Sequence, residues 1–194
     1  MGSSAEHRIG LRKGEALGLR WADVDLKAGR VRVVQRLQRI EGSLQLDPPE
    51  TRGSRRTIPV PPVCIDALIA HGVRQDAERA SLGEYWQESG LVFTTQLGTP
   101  IDPRNVNRWF DALCKRAEVP RVRVHDLRHT CASLLLAPGV HPRVVMEILG
   151  HSQISMTMNT YSHVLPGVQE EAAQRMEEVL RGEPDDETAD GPPT

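Results

Sequence analysis

The sequence predicts an α+β domain, mainly helical, with one small three-stranded antiparallel sheet. Two patterns and one exclusion lead there. Between residues 31 and 60 short apolar-polar alternations are separated by turn signals. Before and after that stretch, apolar residues recur at three- and four-residue spacing. No run of about 18 apolar residues occurs, so no segment is expected to span a membrane.

The elements follow in order. "GLRKGEALGLRW" places Leu11, Ala16, Leu17 and Leu19 at helical spacing, which predicts a short helix over 12–20. Val31 and Val33 alternate in a strand near 31–38, and Glu41-Gly42 is a turn signal. "SLQLD" is the second strand, and "TIPVP", entered through the arginine-rich "ETRGSRR", is the third. Pro61-Pro62 ends the sheet and can open a helix over 63–80, with Ile65, Leu68, Ile69 and Val73 on its apolar face. "LVF" at 91–93 is a short buried extended piece and "LGTPIDP" a loop. A helix over 103–117 carries Val106, Trp109, Phe110 and Leu113 on one side. Helices over 125–137, 142–149, 153–162 and 167–181 follow, the last amphipathic through Val168, Ala172, Met176 and Leu180.

Charge is unevenly distributed. The chain holds 24 Lys+Arg and 26 Asp+Glu, but nine of the acids and only two of the bases lie after Val168. The preceding part therefore carries a net charge of +5, and only three of its bases are lysine: Lys13, Lys27 and Lys115. Arginine is the better bidentate ligand of phosphate. The tail "GEPDDETADGPPT" is acidic and rich in Pro and Gly, a composition expected to be disordered. The N-terminal "MGSSAEHRIG" has no apolar signal core. The three cysteines, Cys64, Cys114 and Cys131, fit no metal spacing and suit buried thiols in a reduced, cytoplasmic protein. The expected organisation is a leader or truncated start over 1–8, one domain over 9–182 and a disordered tail over 183–194.

Four short segments carry chemistry. In "HDLRHT", His125 and Arg128 share a helix face and His129 stands four residues after His125. Such a pair can bind zinc, but no Glu follows the first histidine and no third ligand is near; a salt-bridged surface and an imidazole-guanidinium pair facing a phosphate remain as readings. In "LGHSQ", His151 follows a glycine expected to end the preceding helix, and Ser152 can cap the next one. "TYSH" places Tyr161 about three turns further on; a tyrosine is a packing residue or a nucleophile. In "GLRKGE", Arg12 and Glu15 suit either an ion pair or a phosphate clamp beside free backbone N–H groups.

Taken in order, "GLRxGE", an arginine-rich hairpin, "HxLRHT", "LGHS" and "YSH" resemble the catalytic domain of the tyrosine recombinases, the phage-integrase family. The likeness runs from residue 9 to about 180. It implies the tyrosine-recombinase catalytic fold and site-specific DNA cleavage and rejoining through a 3′-phosphotyrosyl intermediate. By this resemblance Tyr161 matches the nucleophile, Arg12 and Arg128 the arginines that grip the non-bridging oxygens, and His125 and His151 their neighbours at the scissile phosphate. Glu15 and Asp126 match supporting positions. The implied partners are double-stranded DNA and further copies of the chain, a tetramer on DNA in the full-length protein. No cofactor or metal is implied, and no nucleotide-binding motif is present.

One departure from the family lies in the hairpin turn. Where the family places a lysine in the hairpin turn to protonate the leaving 5′ oxygen, this chain reads "DPPETRGSRR", with Glu50 at that position. Arg52, Arg55 and Arg56 are candidates for DNA phosphate contacts, but arginine, with a pKa above ~12, is a poor proton donor. The expectation is an impaired enzyme. The alternative is a non-catalytic DNA-binding remnant or regulator that keeps the fold.

Overall fold

The computed structural model describes residues 10–49 and 54–150, together with the helical positions 157, 174, 176 and 177. Helix α1 (Lys13–Leu17) leads through a 3₁₀ turn at Trp21–Asp23 into five short strands. These are β1 (Val24–Asp25), β2 (Arg30–Val33), β3 (Arg36–Ile40), β4 (Ser43–Asp47) and β5 (Arg56–Pro59). Helices α2 (Pro62–Leu82), α3 (Pro103–Arg116), α4 (Asp126–Leu136) and α5 (Pro142–Leu149) follow. The mainly helical α+β class is as the sequence predicts.

The sheet differs in membership. The single strand expected near 31–38 is two strands, broken at residues 34–35. β1, β2 and β5 form the three-stranded antiparallel sheet, with Val31 opposite Ile58 and Val33 opposite Arg56. β3 and β4 form a separate hairpin, Leu37 opposite Leu46, closed at Glu41-Gly42. Both turn residues have positive φ, 47° and 87°, as a tight two-residue hairpin requires. The break lets β2 serve the core sheet while β3 lies across α1.

Glycine spacing makes that crossing close. A Cβ on Gly14 would lie 2.8 Å from the Leu37 carbonyl oxygen, and one on Gly18 would lie 2.9 Å from Arg36 Cα. The helix thus presents a bare edge to the strand backbone. Behind it, Ala16, Leu17, Leu19, Val31, Val33, Leu37, Ile58 and Leu68 close the main core. A second cluster, Cys131, Ala132, Leu136, Val145 and Leu149, joins α4 to α5. Cys64, Cys114 and Cys131 are all buried.

Two helix faces are rotated from expectation. On α2 the inward residues are Cys64, Leu68 and Gln75, while Ile69 is exposed and Val73 is 66% exposed. The reason is polar. Gln75 accepts from Trp21 Nε1 at 2.6 Å and donates to the Val92 carbonyl at 3.1 Å and Thr94 Oγ1 at 2.9 Å. It satisfies the backbone of the buried 91–93 piece, which is not paired in a sheet of its own. On α3, Cys114 is buried and Trp109 is 56% exposed. The expected helices over 153–162 and 167–181 lie outside the described residues, apart from the four helical positions named. Of these Thr157 is buried and Met176 exposed. Among the described residues no helix is long and apolar enough to cross a membrane.

Candidate active site

The site is assembled around the C-terminal end of α5. A helix leaves its last carbonyls without internal partners, and they carry the negative end of its dipole. Here three consecutive carbonyls are each taken by a different arginine. Arg56 Nε donates to Ile148 O at 2.8 Å, Arg128 Nη2 to Leu149 O, and Arg12 Nη2 to Gly150 O at 2.8 Å. These arginines come from β5, α4 and the start of α1, so one helix end fixes three distant parts of the chain.

Gly150 makes the arrangement possible. It ends α5 in the left-handed conformation, φ 65° and ψ 46°, as the "LGH" pattern predicts. A Cβ there would also lie 2.7 Å from Arg56 Nη1. The glycine is needed for its dihedral angles and for the space beside the guanidinium.

Glu15 supplies the opposing charge. Its carboxylate takes a bidentate pair from Arg56, at 2.9 and 3.1 Å. It also accepts from Arg12 Nη1 at 2.8 Å and from the Arg12 backbone N–H at 2.9 Å. Burial favours the neutral acid, but the Arg56 hydrogen bonds and charge, then those of Arg12, outweigh it and hold the carboxyl below its ordinary value. The expected Arg12–Glu15 ion pair is therefore present, and Glu15 is the buried hub between two arginines.

Arg128 is 4% exposed and donates Nη1 to the Gly10 carbonyl at 2.6 Å. Burial, then the nearby Arg12 charge, pulls its guanidinium down to about 9. It remains a cation at neutral pH. Arg12 and Arg128, 116 positions apart in the sequence, are thus bound to the adjacent carbonyls of Gly150 and Leu149.

His125 is the N-cap of α4, exposed, and set edge-on to His129 with ring centroids 5.2 Å apart. Burial of part of the ring, then the charges of His129 and Arg128, lowers its pKa, so it is neutral at pH 7. Asp126, next in the chain, accepts from the Arg123 backbone N–H and Nη2, each at 2.8 Å, and these bonds hold its carboxyl at about 2. Asp126 fixes the approach to α4 rather than touching the arginine cluster. Among the described residues no group of three metal-ligating side chains occurs.

Arg56 departs from its expected role. Its side chain is 7% exposed and committed to Glu15, Ile148 and Ser54, so it is an internal clamp and not a surface contact for phosphate. Arg55, beside it, is exposed. Glu50, Arg52, His151 and Tyr161 lie outside the described residues. The clamp role of Arg56 was not read from the sequence; the alternation of β5, which turns Ile58 inward opposite Val31, carries the only trace of it. Asp23 was also missed. It is buried and takes Arg20 at 2.6 Å and Arg32 at 2.8 Å, tying the 3₁₀ turn to β2.

The family model described as the phage integrase family matches residues 7–167. The chain belongs to the phage integrase family. A tyrosine recombinase XerC-like protein of Caldanaerobacter subterraneus subsp. tengcongensis is 36% identical over 183 residues, covering 88% of this chain and 47% of the relative. An integrase of Saccharopolyspora erythraea is 38% identical over 146 residues, covering 75% of this chain and 33% of the relative. This family member thus spans about half or less of the length of these curated relatives. Among solved structures, the Tn1549 transposon integrase in complex with circular intermediate DNA superposes with a TM-score of 0.72 at 25% identity, over 90% of this chain and 59% of that one. XerA recombinase, at 23% identity and a TM-score of 0.65 over 93% of this chain and 57% of that one, shows the same fold.

Proposed function

We propose that this chain is the catalytic domain of a site-specific tyrosine recombinase, an integrase of a mobile element. In this reading the Tyr161 hydroxyl attacks a DNA phosphodiester, forms a 3′-phosphotyrosyl bond and releases a 5′-hydroxyl strand end. The reversed reaction on a partner duplex rejoins the strands. Arg12 and Arg128 neutralise the non-bridging oxygens, where charge develops during phosphoryl transfer. His125 and His151 hydrogen-bond the same phosphate. A phenol, with a pKa near ~10, is a weak nucleophile at neutral pH unless such a positive field assists it, and it is also a fair leaving group. That balance suits a reversible transesterification without a nucleotide cofactor.

The observation that carries the reading is the gathering of Arg12 and Arg128 at the end of α5, one residue before His151 in the chain. Family membership and the DNA complex of the Tn1549 relative add to it. Its partners are double-stranded DNA and further copies of the chain, a tetramer on DNA in the whole protein, and its place of action is the cytoplasm. The test is covalent trapping on a nicked suicide duplex. An adduct that survives denaturing detergent is expected, and Tyr161→Phe removes it.

One feature favours a second reading, a DNA-binding remnant that does not cleave. It is Glu50 in place of the family lysine. DNA binding by the unaltered chain without any adduct, on ordinary DNA or on a substrate with an activated leaving group, is the outcome that selects it.

A further inference from the structure

Cleavage leaves a 5′ alkoxide that needs a proton, and neither a glutamate, an acid ordinarily ionised at neutral pH, nor an arginine is suited to give one. We propose that Lys13 is the proton donor to the leaving 5′ oxygen, a role that rests on the reading of Tyr161 as nucleophile. Three lysines occur in the chain. Lys27 is exposed in the turn between β1 and β2, and Lys115 is exposed in the last turn of α3. Lys13 alone of the three lines the cavity that Arg12 also lines.

That cavity has a volume of about 370 Å³. Arg12, Lys13 and Glu15 of the α1 segment line it together with Arg36 and Arg39 of β3, Pro49 and Ser54. Four cations, Arg12, Lys13, Arg36 and Arg39, and one carboxylate, Glu15, line it, with Arg12 paired to Glu15 and Arg39 to Asp102, so the lining carries a surplus of positive charge. An anionic backbone drawn to Arg12 is thereby drawn to the neighbour of Lys13. Lys13 is half-buried and held lightly, its Nζ donating to Asn107 Oδ1 at 3.2 Å. One such bond leaves N–H groups of the ammonium for a substrate. Burial, opposed by the charge of Asp102, lowers its pKa, which eases proton release.

The step balances. The Tyr161 oxygen forms its bond to phosphorus and its phenolic proton passes to solvent. The bond from phosphorus to the 5′ oxygen breaks with its electron pair on oxygen. The Lys13 ammonium gives that oxygen a proton and becomes an amine, which regains a proton from water before the next cycle.

The experiment uses single-turnover adduct formation by this chain on two duplexes, one ordinary and one with a 5′-bridging phosphorothiolate, whose thiolate leaves without a proton. Lys13→Arg is the decisive variant, because it keeps the charge and the length but is a poor acid. It is expected to lose about 10²–10⁴-fold on ordinary DNA, the usual contribution of a general acid, and less than about tenfold on the phosphorothiolate. His125→Gln is expected to lose equally on both. Glu50→Lys, placed in the Lys13→Arg background, is expected to recover cleavage of ordinary DNA. Equal losses of Lys13→Arg on the two duplexes, or no loss on ordinary DNA, overturn the assignment while leaving Tyr161 in place. Absence of any adduct from the unaltered chain on both duplexes overturns the recombinase reading and the assignment together.

Discussion

Replacing Glu15 by glutamine tests whether the arginine cluster depends on one buried charge. The side chain is 2% exposed, and Arg56, its bidentate partner, is 7% exposed. Glutamine keeps one acceptor oxygen but loses the charge and turns an NH₂ group toward a guanidinium. Breaking a buried ion pair from one side costs about 3–5 kcal/mol, because the remaining charge is left without compensation. Here Arg56 keeps Ile148 O and Ser54 O, and Arg12 keeps Gly150 O, so the lower end applies. About 3 kcal/mol corresponds to a fall in Tm of roughly 6–12 °C for a domain of this size. The assay is thermal unfolding followed by circular dichroism at a series of pH values. The folded pKa of Glu15 lies below its ordinary value of 4.5, so the unfolded state binds the proton more readily. Its contribution is therefore complete above pH 4.5 and is lost as pH falls through the folded value. The gap between the two proteins is expected to be widest at neutral pH and to close in acid. A gap under about 2 °C at pH 7, or one that stays constant into acid, refutes the hub role of Glu15.

Four further outcomes are expected. Glu50→Lys alone should raise the single-turnover rate on ordinary DNA modestly, by replacing an anion near the phosphate with a cation; a lower rate contradicts the alignment of the turn. Gly150→Ala should destabilise by about 1–3 kcal/mol, from the left-handed backbone and the crowding of Arg56, and should lower adduct yield at temperatures where the variant is folded. Cys64, Cys114 and Cys131 are buried, and burial raises the Cys131 thiol further, so a thiol reagent at neutral pH should label none in the native chain and three in denaturant. DNA affinity should fall steeply between low and physiological salt, since phosphate contacts release counterions; a flat response in a filter or polarisation assay contradicts the basic-face reading.

Much of the site was legible because its residues lie in short motifs whose spacing has a local meaning. Arg12 and Glu15 are three apart across a helix start, and their ion pair follows from that alone. Gly150 announces a helix end with no knowledge of what packs there. What stayed hidden is non-local. Nothing near residue 56 says that its guanidinium meets a carboxylate 41 positions earlier and a helix end 92 positions later. An arginine beside other arginines in a turn reads as a surface charge, and Arg55 is one. The sheet failed for the same reason. The pairing of β2 with β5 skips the hairpin between them, and alternation fixes which face a residue takes but not which strand it meets. On α2, apolar counting misled because the inward position is held by Gln75, whose value lies in its hydrogen bonds to an irregular segment.

The hydrogen bonds of the arginine cluster show how three guanidiniums can gather at a helix end. Three guanidiniums from separate elements, gathered without counter-charge, would repel one another. One carboxylate and three carbonyls of α5 supply the opposing field, and the carbonyls do so without titrating. Removing the single acid perturbs the charge balance but leaves three directional acceptors in place. A shift of α5 removes all three acceptors at once, and it moves Arg12 and Arg128 together. The placement of the two arginines is therefore tied to the seating of α5, through Val145 and Leu149, on Cys131, Ala132 and Leu136 of α4. Truncating Leu149 to alanine, which creates a cavity costing about 2–5 kcal/mol in a fully packed site, would loosen both arginines although it touches neither charge.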